Sequence, residues 1–310
     1  GSVTQGLADL NSLTTTENPF SFEATVIYAL TQGHILQNTD AAAETLLALQ
    51  QKYPDNKIIL FLAAAAFIKN ARSDKAIVML EKLAKADTAT TLPFAWYLNG
   101  EAHLHKGDYQ TAIGFYQKFL SRYKGQNYRK DAWYKAGICH WLNGNADEAS
   151  RIFKEARSIG KESSEADKHA SWSMAEEKLP HAQLTRVRYY TDGGYYDKAR
   201  KVLEGIAYYE LSEKTHQAEY HYRKARLAHK TDQYAEAKSL YLKVIEFSQA
   251  SAQYFAPNAC LQLGYLFLQE GNRENAGEYF RKAMQYQKHP YKNSIDSKAK
   301  SALDQLKDRK

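Results

Sequence analysis

The chain repeats a three-point pattern: a small residue, a large one four positions later and an apolar one seven later. Seven alanines anchor it, Ala42, Ala76, Ala112, Ala149, Ala199, Ala237 and Ala276, at steps of 34, 36, 37, 50, 38 and 39 residues. The large partners are Leu46, Leu80, Tyr116, Phe153, Leu203, Tyr241 and Phe280. The apolar ones are Leu49, Leu83, Phe119, Ala156, Ile206, Val244 and Ala283. Spacings of four and seven put all three residues on one helical face. Twelve residues before each anchor stands a second position, small in five of seven cases: Leu30, Ala64, Gly100, Gly137, Val187, Ala225 and Gly264. Turn signals such as Gly107-Asp108, Gly144-Asn145 and Gly271-Asn272 separate the two helical stretches, the glycine supplying a left-handed helix end. The pattern predicts an all-α stack of about seven helical hairpins. Gly or Ala on each helix lets two backbones approach closely, and aromatic rings fill the flanking grooves.

The step of 50 departs from the rest. It holds a polar stretch, residues 161–178, with Ala166, Ala170, Met174 and Ala175 at helical spacing, and Pro180 then restarts a helix. An extra or extended helix is expected near 160–178. Residues 1–20 have little periodicity and read as a flexible segment. Near the other end Ala299, Ala302, Leu303 and Leu306 share one face with lysines elsewhere, as in the helix with a polar outer side that closes a solenoid. The expected organisation is therefore a flexible 1–20, a superhelix over 21–290 and a basic capping helix over 291–310.

Composition changes this picture little. Tyrosine is abundant, 23 against 12 Phe and 4 Trp, and suits surfaces that are half packed and half wet. The net charge of +7 is concentrated: residues 281–310 hold nine Lys/Arg and three Asp/Glu. A nucleic-acid binder carries its basic residues along a face or groove, so a basic tail is weak support for that function. Cys139 and Cys260 lie far apart with no CxxC pair, which speaks against a structural zinc site. They read as small core residues. His103 and His105 fall on opposite sides of a helix, and His216 and His221 are five apart rather than four. No phosphate loop, dinucleotide fingerprint or nucleophile elbow occurs, so no enzyme activity, metal or cofactor is expected. The longest apolar run, Ile58 to Ile68, is too short to span a bilayer. Gly1-Ser2 without an initiator Met reads as a cloning remnant, so a signal peptide or another upstream segment is expected before Val3.

Trp96, Gly100, Gly107, Tyr109, Ala112, Tyr116 and Phe119 resemble the tetratricopeptide repeat consensus. So do Trp133, Gly137, Gly144, Ala149, Phe153 and Ala156, and again Gly264, Phe267, Gly271, Ala276, Phe280, Ala283 and Pro290. The first two repeats match only through small and apolar positions. The stretches 127–132, 192–196 and 292–300 are also similar to a group of exported bacterial tetratricopeptide proteins, which implies a periplasmic or envelope location.

The resemblance implies a right-handed α-α superhelix whose concave groove is lined by the first helix of each hairpin. By that geometry Tyr97, Glu101 and His105, then Tyr134, Ile138 and Trp141, face the groove. Leu184, Arg188 and Asp192 follow, then Tyr222, Arg226, His229 and Lys230, and finally Leu261, Tyr265 and Gln269. Aromatic residues dominate the third and fourth repeats and cations the fifth and sixth, the residue types of binding hot spots. The expected partner is a protein or peptide segment with an acidic group near Arg188 and Arg226. Pairing of these arginines with Asp192 and Glu219 is the competing expectation. Nucleic-acid binding through the basic tail is the alternative function.

Overall fold

The computed structural model describes residues 3–85, 92–175, 178–248 and 253–308. Among them are seventeen α-helices, one short 3₁₀ turn and no strand. Fourteen form seven antiparallel hairpins: α2/α3 (Ser21–His34, Thr39–Lys52), α4/α5 (Lys57–Lys69, Ser73–Lys85), α6/α7 (Pro93–Lys106, Tyr109–Arg122), α8/α9 (Arg129–Leu142, Ala146–Ala156), α11/α12 (Ala182–Gly193, Tyr196–Glu204), α13/α14 (Lys214–Lys230, Tyr234–Phe247) and α15/α16 (Phe255–Gln269, Arg273–Gln285). The others are α1 (Val3–Thr15), α10 (Glu165–Ala175) and α17 (Lys292–Asp308).

Local signals set the helix ends. Pro93 opens α6, where its missing N–H costs no hydrogen bond, and Gly107 closes it at φ 88°. The Asn56 side chain accepts from the Ile58 and Ile59 amides at the start of α4, and Asn272 does the same for Asn275 at α16. The left-handed residue of the turn is glycine at Gly107, Gly144, Gly194 and Gly271. In three other hairpins it is Gln37, Ala71 or Asp232.

The small positions are the contact points. All seven anchor alanines are buried. Where the first helix carries glycine, the second carries a ring four residues beyond its alanine. An added Cβ on Gly100 would lie 2.6 Å from Tyr116, on Gly137 2.4 Å from Phe153 and on Gly264 2.5 Å from Phe280. Such distances leave room for hydrogen alone, so ring and glycine are matched in size.

One segment differs from expectation. Residues 3–15, read as flexible, form α1 against α2; none of its described side chains is buried, and so no apolar stripe marks it in the sequence. The long step holds a separate helix, α10, packed on α8 and joined to the core through Ala170 and Met174.

The stack also closes across its own inner side. Besides its neighbours, α11 packs on α6 and α4. At its end Gly194 sits against the Ala71 carbonyl, Tyr195 donates to Asp74 Oδ1 at 2.9 Å and Lys198 donates to the Lys106 carbonyl at 2.9 Å. Ser301 of α17 donates to the Ile35 carbonyl at 3.3 Å, joining the last helix to the first hairpin.

Candidate functional site

The groove positions of the third and fourth hairpins are occupied with one another. Tyr97 donates to Asp131 Oδ2 at 2.5 Å, and Lys135 donates to the Tyr97 hydroxyl at 2.9 Å. Lys135 also pairs with Glu101 at 2.7 Å and Asp131 at 2.9 Å, and Tyr116 donates to Glu101 at 2.7 Å. Burial alone would lower the Lys135 pKa, but Asp131 and Glu101 outweigh it and hold the ammonium well above its usual range. Burial raises the Asp131 carboxyl, whereas Lys135 overcomes burial at Glu101 and lowers it. His105 hydrogen-bonds Ser73 at 3.0 Å and stacks on Tyr189 of α11. Tyr134 stacks on Phe153, and Trp141 donates to the Pro180 carbonyl at 2.9 Å.

Farther along, α11, α13, α15 and α17 line an open cavity of about 300 Å³. Four cations line it, Arg188, Arg223, Arg226 and Lys298, with one carboxylate, Asp192. Arg223 is neutralised by Glu219 at 2.6 Å and also donates to Tyr254 at 3.1 Å. Arg188 stands 3.8 Å from Asp192 and donates to the Tyr291 hydroxyl at 3.2 Å. Arg226 donates to the neutral Gln262 Oε1 at 3.1 Å. Of the two acids named as competitors for these arginines, Asp192 is thus a loose partner of Arg188, and Glu219 serves Arg223 instead.

Tyr222 completes the wall, its hydroxyl accepting from Asn258 at 2.5 Å. A second cavity, about 190 Å³, shares Arg188, Arg223 and Tyr254 with the first and is also lined by Tyr134 and His169. His169 stacks on Tyr291 at 4.7 Å; burial, then Arg188, Lys135 and Arg223, push its pKa well below 6.5.

Of the positions named from the sequence, Arg188, Tyr222 and Arg226 therefore meet at one cavity. Tyr97, Glu101 and His105 belong to the inner network, while Trp141, Lys230 and Tyr265 line neither cavity. Tyr265 packs edge-on against Phe280 at 5.2 Å. Arg223, Thr191, Tyr291 and Lys298 were not anticipated. The sign available for Lys298 is the stripe Ser294, Lys298, Ser301 along α17 at helical spacing, with Tyr291 just ahead of the helix.

Family models described as tetratricopeptide repeat match residues 23–56, 61–128, 218–251 and 257–290, together more than half of the chain. The chain belongs to the tetratricopeptide repeat superfamily. Tetratricopeptide arrays serve in general as scaffolds for protein–protein interaction, and this chain is a tetratricopeptide array by sequence and by architecture. No curated protein matches it.

Among solved structures, a tetratricopeptide repeat protein from Parabacteroides merdae is 18% identical, with 91% of this chain and 98% of that one covered and a TM-score of 0.38. The C-terminal part of a repeat-containing protein from Cytophaga hutchinsonii is 19% identical over 88% of this chain and 98% of its own, with a TM-score of 0.37. The APC/C hetero-tetramer Cut9-Hcn1 is 13% identical over 97% and 52%, with a TM-score of 0.41. At these values the likenesses add nothing to the fold described above. No described helix is long and apolar enough to cross a membrane.

Proposed function

We propose that this tetratricopeptide protein is a non-catalytic scaffold that holds a protein or peptide segment on its concave side, with an acidic group of that segment seated against Arg188 and Arg226. The observation that carries the reading is the cavity in which both arginines meet Arg223 and Lys298 with Asp192 as the one carboxylate of the lining. A half-buried guanidinium that spends its hydrogen bonds on neutral groups, as Arg188 does on Tyr291 and Arg226 on Gln262, can exchange them for a carboxylate or phosphate. The inner network of the third and fourth hairpins answers its one ammonium with its own carboxylates and hydroxyls and is left with structural work. The basic tail is read as a cap: α17 buries Ile295, Ala299 and Ala302, and Lys292 and Lys307 pair with Asp296 and Asp304 at 2.6 and 3.0 Å.

Selection of a random peptide display library on the full chain tests this. Enriched peptides are expected to carry acidic residues, and their binding is expected to vanish in the Arg188→Glu/Arg226→Glu variant while a circular dichroism melt shows the variant folded. A library with no enrichment, or with binding that survives both reversals, would overturn the proposal.

A further inference from the structure

Resting on that reading of Arg188 and Arg226, we propose that the cavity takes a phosphoryl monoester, a tetrahedral dianion, with Lys298 and Thr191 as binding residues beside the two arginines. The first argument is charge. Glu219 neutralises Arg223, and Asp192 loosely matches Arg188. Arg226 and Lys298 then remain, and neither has a carboxylate within ion-pair distance among the described residues. Two positive charges are left over. A single carboxylate would answer one of them, whereas a phosphomonoester carries close to two negative charges at neutral pH.

The second argument is direction. Arg188 comes from α11, Arg226 from α13 and Lys298 from α17, so the cations approach from three elements. A planar carboxylate is satisfied by one arginine fork, whereas three phosphoryl oxygens accept from several sides. The third is an orphan. Thr191 is 3% exposed, lines this cavity, and its Oγ1 has no hydrogen-bond partner. Buried hydroxyls are nearly always bonded, so an unpaired one on a residue of this polar wall marks a place for an acceptor. Tyr291 and Ser294 add two hydroxyls to the same wall.

The surroundings of Lys298 fit the same account. Burial, then Arg226, lower the pKa of its ammonium. Burial and Lys298 in turn bring Lys69 down to about 8, and burial, then Lys69 and Lys298, lower His34. An ammonium packed among like charges destabilises the empty protein and becomes favourable once a dianion enters.

Thermal melts of the full chain at fixed ionic strength, with inorganic phosphate, acetate, glycerol 3-phosphate, and a phosphoserine peptide with its unphosphorylated twin, test the inference. Saturable stabilisation is expected from the phosphoryl compounds and none from acetate. Preference for the phosphopeptide would place the dianion on a protein, and preference for glycerol 3-phosphate on a free metabolite. Lys298→Met is expected to raise the melting temperature of the empty protein and to weaken phosphate at least tenfold. Thr191→Val should leave the empty melting temperature unchanged and weaken phosphate severalfold.

A phosphate response no larger than that of acetate overturns the inference, as does a Lys298→Met protein that melts lower when empty or keeps full affinity. If phosphate fails while acidic display peptides still bind through Arg188 and Arg226, the scaffold reading stands without this refinement. If phosphate binds and no peptide does, the dianion site stands and the protein segment falls.

Discussion

Closure of the stack on its own inner side rests on one turn, and Gly194→Ala should expose it. Gly194 has φ 87°, and an added Cβ would lie 1.9 Å from the carbonyl oxygen of Ala71. Gly144 supplies the control, because it has the same φ of 87° with nothing within 4 Å. Both substitutions force alanine into the left-handed region, at a cost of about 1–2 kcal/mol. Only Gly194→Ala also meets a backbone atom, which cannot rotate away as a side-chain tip would. The α11–α12 turn must then be compressed against the α4–α5 turn or lift off it. Overpacking of this kind costs about 1–3 kcal/mol. Lifting off would forfeit the Tyr195–Asp74 and Lys198–Lys106 hydrogen bonds, each worth about 1 kcal/mol. Either route makes Gly194→Ala about 1–3 kcal/mol more costly than Gly144→Ala. Urea titration followed by far-ultraviolet circular dichroism measures the difference, and small-angle scattering shows whether the radius of gyration grows. Equal costs within about 0.5 kcal/mol, with an unchanged radius, would refute the closure contact.

Two further predictions concern packing and pH. Ala149 is fully buried between helices, so Ala149→Leu should cost about 1–3 kcal/mol, whereas Lys168→Ala, which removes a surface ion pair with Glu165, should cost under about 0.5 kcal/mol by the same denaturation assay. His229 is held down to about 4 by burial and then by Arg226 and Lys230. Its folded pKa lies below the unfolded value near 6.5, so its stabilising contribution is complete above that pH and is lost as the pH falls towards 4. One proton taken up by the unfolded chain alone amounts to about 1.4 kcal/mol per pH unit, on the order of 3 kcal/mol across the window. Denaturation midpoints between pH 7 and 4 should fall less steeply for His229→Gln than for the parent; parallel slopes would count against it.

The repeat was legible because it is local. Ala112 and Tyr116, or Ala276 and Phe280, lie one helical turn apart, and their partner glycine lies sixteen residues upstream of the ring, so spacing alone reports the contact. Turns were legible where glycine marks them, at Gly107, Gly144 and Gly271. They were less so at Gln37, Ala71 and Asp232, where other residues accept a positive φ. What stays hidden is contact between distant turns of the superhelix. Arg188 reaches Tyr291 across 103 positions and Ser301 reaches Ile35 across 266, and no periodicity encodes such a meeting. Family geometry placed Tyr97 and Glu101 on the concave side; their absorption by Lys135 and Asp131 depends on the next hairpin and on α10, whose Asp167 accepts from the Tyr128 and Asp131 amides.

Two lysines on the inner side, Lys135 buried and Lys298 half-buried, show why one region is read as structural and the other as a site. Lys135 has two carboxylates at 2.7 and 2.9 Å, and with the Tyr97 and Tyr116 hydroxyls the cluster satisfies itself. Removing one partner there would strand a charge and destabilise the fold. Lys298 has the opposite neighbourhood, with Arg226, Lys69 and His34 near it. Folding alone gives no reason to gather these groups, since neutral Met in place of Lys298 would pack the same stem without the repulsion. The sign of the stability change on neutralising each lysine therefore separates the two roles: loss at Lys135, where the charge is already answered, and gain at Lys298, where the answering charge has to come from a ligand.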